Sequence, residues 1–162
     1  TSIDLTDAGR WQRLTQLAGE LEVGNPAEAE KLLREALTAD LYHGPAHNNL
    51  GVLFLKTGKL YKASIEFEWA RKLMPGHPDP RTNLAITLER AGRTTEAIDA
   101  YRAALEVAPE DITATQGIAM ATVRAGKDDP ALGRWLDRIA LVGESETWRE
   151  WARARAAQGP SH

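Results

Sequence analysis

Apolar and small residues recur along the chain at helical spacing, and the helical pattern itself recurs. Gly24, Gly58, Gly92 and Gly126 stand 34 residues apart, as do Ala29, Ala63, Ala97 and Ala131. A bulky residue keeps the same interval at Leu33, Phe67, Tyr101 and Trp135. Leu50, Leu84 and Ile118 do so too, each beside a small residue (Gly51, Ala85, Ala119), and Ala36, Ala70 and Ala104 mark a further register. So many residue types sharing one period define a repeat array. With a boundary set after His43, the units run 10–43, 44–77, 78–111 and 112–145, preceded by an extension (1–9) and followed by a helix (146–158) and a short tail (159–162).

Each unit reads as two helices. The first ends at the glycine, where the chain must turn left-handed at little steric cost. Lys56, Arg90 and Arg124 precede that stop, as the helix dipole favours. The second helix runs to the position of Pro75 or Pro109. Proline near a helix start marks the openings at Asn25-Pro26, Gly44-Pro45, Asp79-Pro80 and Asp129-Pro130. Small residues (Gly51 with Ala63 and Ala70, Ala85 with Ala97 and Ala104) let the two helices approach closely. No strand alternation or hairpin dipeptide interrupts the pattern. The expected fold class is all-α.

Composition narrows the chemistry. The chain has 162 residues, a formal charge of −3 and no cysteine. Disulfides, thiolate zinc sites and thiol nucleophiles are excluded. The small negative charge gives no support for nucleic-acid binding, and the apolar runs are too short for membrane insertion. No targeting segment is visible. His43 and His77 share a repeat position and His47 follows His43 by four, but no carboxylate or third ligand sits at metal spacing beside them. No phosphate-binding loop, dinucleotide fingerprint or nucleophile elbow is present. The sequence offers no catalytic, cofactor or metal site.

The repeat resembles the tetratricopeptide repeat (TPR) family from Arg10 to Ser145. It is carried best by Asn49-Leu50-Gly51, Gly58, Ala63, Phe67, Ala70 and Pro75, and by Asn83-Leu84-Ala85, Gly92, Ala97, Tyr101, Ala104 and Pro109. The flanking units depart from it. Gln16-Leu17 and Leu41 replace expected residues in the first, and Arg138 and Gly143 do so in the fourth. The resemblance implies a right-handed superhelix of helix pairs whose degenerate ends act as caps. In the tail, Trp148, Trp151 and Ala152 form an apolar stripe suited to closing the last repeat; Glu144-Ser145-Glu146-Thr147 offers helix-starting oxygens, and Thr147 with Glu150 has capping-box spacing. An aromatic docking face is the alternative reading of that stripe.

The family lines its concave surface with the first helix of each unit. Carried over, the peptide-binding positions are Asn48, Asn49, Val52, Leu55 and Lys56, then Thr82, Asn83, Ile86 and Arg90 with Glu89 among them, then Gln116, Met120 and Arg124 with Val123. Leu14, Ala18 and Leu21 would extend the surface into the first unit. Asn49 and Asn83 form a short amide ladder similar to the one O-GlcNAc transferases use on peptide backbones, flanked by Thr15 and Gly117. Val52, Ile86 and Met120 form an apolar strip. Leu21, Leu55 and Val123 share a second register, interrupted by Glu89. Val52 and Ile86 stand where chaperone-tail binders carry polar residues, which argues against acidic chaperone tails as ligands. Lys56/Lys59, Arg90/Arg93 and Arg124/Lys127 bracket the turns as solvated helix ends or as a basic edge. The implied function is a non-catalytic scaffold holding a peptide segment or partner helix in the groove. The alternatives are a self-assembly module, with a homo-oligomer as its product, and an accessory domain of a larger protein.

Overall fold

The computed structural model describes Thr15, Ala18, Gly19 and residues 24–159. Expectations that fall on Leu14, Gln16, Leu17, Leu21 and the tail from 160 onward lie outside the described residues. Within them every regular element is an α-helix: α1 (Pro26–Ala39), α2 (Gly44–Lys56), α3 (Leu60–Leu73), α4 (Asp79–Arg90), α5 (Thr94–Val107), α6 (Ile112–Arg124), α7 (Leu132–Val142) and α8 (Glu146–Ala157). None of these helices is long and apolar enough to cross a membrane. Contacts divide the chain at Pro75 and Gly76 into two compact units, the first holding α1–α3 and the second α4–α8.

In the first unit α2 packs between α1 and α3. The Asn25 side chain accepts from the Glu28 N–H at 3.2 Å and caps α1, with Pro26 as its first residue. The small residues do the work their spacing suggests. Ala63, Phe67 and Ala70 of α3 are fully buried, and the Phe67 ring lies over Gly51 of α2. A β-carbon at Gly51 would stand 2.5 Å from Phe67 Cε1, so only glycine admits the ring. Gly58 then turns the chain at φ 77°, and the Lys59 N–H closes the helix end on the Phe54 carbonyl at 2.8 Å.

The second unit repeats this scheme. Ala85, Ala97 and Ala104 are fully buried, and Gly92 and Gly126 adopt the same positive φ as Gly58. Its C-terminal part departs from the sequence pattern at one helix start and chooses between two candidate cap oxygens at another. Asp129-Pro130 does not open a helix: α7 begins at Leu132. The Asp129 carboxylate instead accepts from the Ala131 N–H at 2.8 Å and from Arg102 at 2.8 Å, which shapes the preceding turn. The cap of α8 is Ser145, whose Oγ accepts from the Trp148 N–H at 3.2 Å. Thr147, the second residue of α8, lies two positions past the cap.

α8 packs on α7 through Ala152, which joins Ala119, Leu136 and Ile139 in a buried cluster. Trp135, Trp148 and Trp151 lie half-buried against it, the last two edge to face with ring centroids 5.6 Å apart. Fully burying Leu136 and Ile139 contributes roughly 1.5–3 kcal/mol each, and the half-covered tryptophans add to the contact that holds the terminal helix down. The tryptophan stripe is therefore packed on the last repeat.

Candidate functional site

The expected inner-face positions fall on α2, α4 and α6, and burial sorts them. Leu55, Thr82 and Gln116 are buried, so their side chains belong to packing and are not presented to a ligand. Asn48, Asn49 and Val52 on α2 are half-buried, as are Asn83, Ile86 and Glu89 on α4 and Met120 and Val123 on α6. Lys56, Arg90 and Arg124 are exposed at the helix ends.

Within the second unit five of these positions, Ile86, Glu89, Gln116, Met120 and Arg124, line a cavity of about 300 Å3. Ile86 and Met120 supply apolar wall, Trp148 of α8 a third side, and Glu89, Tyr101 and Arg124 the polar groups. Gln116 stiffens this wall. Its amide donates to Glu144 Oε2 and accepts from the Glu144 N–H, both at 2.8 Å. The Thr113 hydroxyl donates to the other Glu144 oxygen. The α7–α8 connection is thereby pinned beside the cavity, which brings Trp148 to it. The sequence offered Trp148 as a cap or as an aromatic docking face but not as a wall of this cavity, because its approach depends on pairs 28 and more residues apart.

Glu89, the residue that interrupts the apolar register, has a partner. Burial pushes its carboxyl above the usual range, opposed by the Tyr101 hydroxyl, which donates to it, and by the Arg124 charge. The same burial and the Glu89 charge raise the Tyr101 hydroxyl beyond its ordinary range. Tyr101 also explains where the amide ladder ends. A β-carbon at Gly117 would collide with the tyrosine ring, so the register of Asn49 and Asn83 can carry no side chain there.

In the first unit the sequence reading missed a buried ionic pair. His47 is 3% exposed, with Nδ1 2.6 Å from Glu66 Oε2 and Nε2 2.7 Å from the Leu41 carbonyl. Both nitrogens face acceptors, so the ring donates from both as imidazolium. Burial works against this charge. The Glu66 and Leu41 hydrogen bonds, with the Glu66 and Asp40 charges, outweigh it and raise the pKa. The ring also stacks on Trp69 at 5.2 Å and 5°. His43 bonds instead to Thr15 Oγ1 at 3.1 Å, and burial lowers its pKa. Among the described residues no three His, Asp or Glu side chains come together as metal ligands. The basic edges are partly spent: Arg93 pairs with Glu96 at 2.6 Å, and Lys127 reaches Thr95 at 3.3 Å.

Paired helices, glycine-received rings and a 34-residue register define a tetratricopeptide repeat protein. Residues 4–158 match the model of the protein kinase G tetratricopeptide repeat family, and the chain belongs to that family. It is 28% identical over 116 residues to a peroxisomal targeting signal receptor of Eremothecium gossypii, covering 69% of this chain and 20% of the receptor. A mutant O-GlcNAc transferase of Thermobaculum terrenum superposes at a TM-score of 0.74 with 26% identity, over 82% of this chain and 26% of the enzyme. The first TPR of Spaghetti, bound to an HSP90 peptide, superposes at 0.69 with 17% identity, over 73% of this chain and 94% of that domain. The chain thus spans about a fifth to a quarter of the receptor and the transferase.

Proposed function

We propose that the chain is a non-catalytic protein-interaction module that seats a peptide segment against the first helices of its repeats. The observation that carries this reading is the cavity of the second unit, where Ile86, Met120 and Trp148 stay half-exposed around polar groups. Apolar side chains left in a concavity mark an interaction surface, and such a pocket suits one anchoring side chain of a ligand. On α2 of the first unit, Asn49 and Val52 hold the equivalent repeat positions and offer an amide for peptide backbone and an apolar contact. The peptide held by the Spaghetti domain and the name of the receptor relative support a peptide as the ligand class.

The test is a displayed library of random peptides selected on the full chain. Selected peptides should lose at least about tenfold in affinity to an Ile86→Asp/Met120→Asp variant that keeps its helical circular dichroism, because an unpaired charge would sit where the ligand is desolvated. Lys59→Ala/Arg93→Ala should instead slow association and flatten its salt dependence. Selected peptides that bind the double Asp variant unchanged would overturn the pocket. The family match favours one further reading, in which this module serves a longer protein as its docking domain. Immunoblotting for a larger species carrying these residues decides that point.

A further inference from the structure

The outer side of α3 carries a feature that the repeat does not require. Tyr61, Ile65 and Trp69 lie on one i, i+4, i+8 ridge and are 79%, 40% and 37% exposed. Helix packing needs Ala63, Phe67 and Ala70 on the opposite side, and these are fully buried. The same register one repeat earlier reads Ala27, Lys31 and Glu35, and one repeat later Thr95, Asp99 and Ala103. Only α3 is apolar there.

Its flanking charges differ as well. Lys62 and Lys72 border the ridge, where the neighbouring repeats place Glu28 and Thr38, then Glu96 and Glu106. Among the described residues neither lysine has a carboxylate partner, and Lys62 lies over the Phe54 ring, 5.7 Å from its centroid. Both acids of α3 are already paired: Glu66 is turned to His47 at 2.6 Å, and Glu68, half-exposed beside the ridge, is neutralised by Arg71 at 2.7 Å. The charge left unneutralised along the ridge, on Lys62 and Lys72, is positive. The ridge is also pre-set: His47 holds the Trp69 indole flat, and a shallow cavity of about 260 Å3 runs beside Ile65 and Trp69.

We propose that this face of α3 docks an acidic amphipathic helix of a partner protein. Eight residues along the ridge span roughly 12 Å, and an i±4 ridge fits the groove of a second helix of about three turns. Apolar side chains of that helix cover Ile65 and Trp69, while carboxylates on its flanks meet Lys62 and Lys72. A second copy of this chain is disfavoured, because an isologous contact would set Lys62 and Lys72 against their own counterparts. This surface is independent of the cavity assigned above to peptides.

The experiment pans a displayed library of three-turn amphipathic helices, with fixed apolar positions and randomised flanks, on the full chain. Enriched helices should gain Asp and Glu over the input. Their affinity should fall at least about tenfold with Ile65→Asp, and by a similar factor with Lys62→Glu/Lys72→Glu. Lys-for-Glu versions of the helices should recover affinity for the charge-reversed chain, and Ile86→Asp/Met120→Asp should leave binding unchanged. If Ile65→Asp loses helicity, Tyr61→Ala, at the most exposed ridge position, replaces it. Helices without acidic enrichment, or ones sensitive to the cavity variant, would overturn the proposal. So would Ile65-dependent co-sedimentation with phosphatidylcholine–phosphatidylserine vesicles, which would assign the face to lipid. An Ile65-dependent dimer in sedimentation would overturn it in favour of a second copy.

Discussion

Phe67 and Tyr101 hold the same position in successive repeats, yet the two units receive them differently. Phe67 is fully buried, and its ring fits over Gly51 of its own repeat. Tyr101, 2% exposed, has Ala85 at the corresponding place, and its ring fills the space at Gly117 in the repeat that follows. The extra hydroxyl needs an acceptor. Glu89 supplies it, where the preceding repeat carries Leu55 in the same register. Two positions change with this ring: its hydroxyl goes with a carboxylate where the preceding repeat has leucine, and the ring itself takes the space where the asparagine register falls on Gly117. The repeat fixes the frame, and a single polar atom sets the chemistry on it.

The largest break in this comparison should come from closing a glycine hole. Gly51→Leu forces a side chain into the Phe67 ring and should cost about 3 kcal/mol by overpacking, read as a lowered midpoint in urea unfolding. Phe67→Tyr should come next. It carries the hydroxyl into the unit whose register offers Leu55 and no carboxylate, at a cost of about 2 kcal/mol for an unsatisfied buried group. Combining it with Leu55→Glu should recover part of that loss, measured as a double-mutant cycle. Tyr101→Phe should cost only about 1 kcal/mol, the net worth of one hydrogen bond. It should also move the Glu89 carboxyl further up in an NMR titration, since its donor is gone while its burial remains.

The smallest effect separates the units by pH. The folded-state pKa of His47 is raised, so its contribution to stability is complete below the ordinary histidine value of 6.5. That contribution is lost as pH rises through the folded value. His43 has a lowered pKa and acts with the opposite sign, its contribution fading as pH falls below 6.5. The unfolding difference between the wild-type chain and His47→Gln cancels most of the His43 effect. It should be largest near pH 5.5 and shrink toward pH 8.5; a difference that grows over that range would mean the ring is neutral in the folded state.

Local geometry was legible in the sequence wherever the backbone allowed one answer. The 34-residue spacing announced a left-handed turn at Gly24, Gly58, Gly92 and Gly126, and the last three have positive φ. The alanine registers announced buried helix contacts at Ala63, Ala70, Ala97 and Ala104, which are fully buried. Helix starts were harder, because Ser145 and Thr147 both offer a capping oxygen and local backbone geometry chooses between them. The site was legible only in part. Gln116 reads as an inner-face amide until Glu144, 28 residues later, takes both ends of it. His47 reads as a lone histidine until Glu66, 19 residues on, meets it. The α3 ridge was hidden for another reason: apolar residues occur on both sides of that helix, so periodicity alone could not say which side was covered.

The space at Gly117 has a consequence for how the gene can change length. It is shaped for a ring that belongs to the repeat before it. Losing the 34 codons of residues 78–111 would bring Phe67 to that space, a ring of the same outline without the hydroxyl. Duplicating those codons would do the opposite: the first copy's Tyr101 would meet the second copy's Asn83, whose β-carbon stands where Gly117 has none. At this point the array can shorten by a whole repeat more easily than it can lengthen by one.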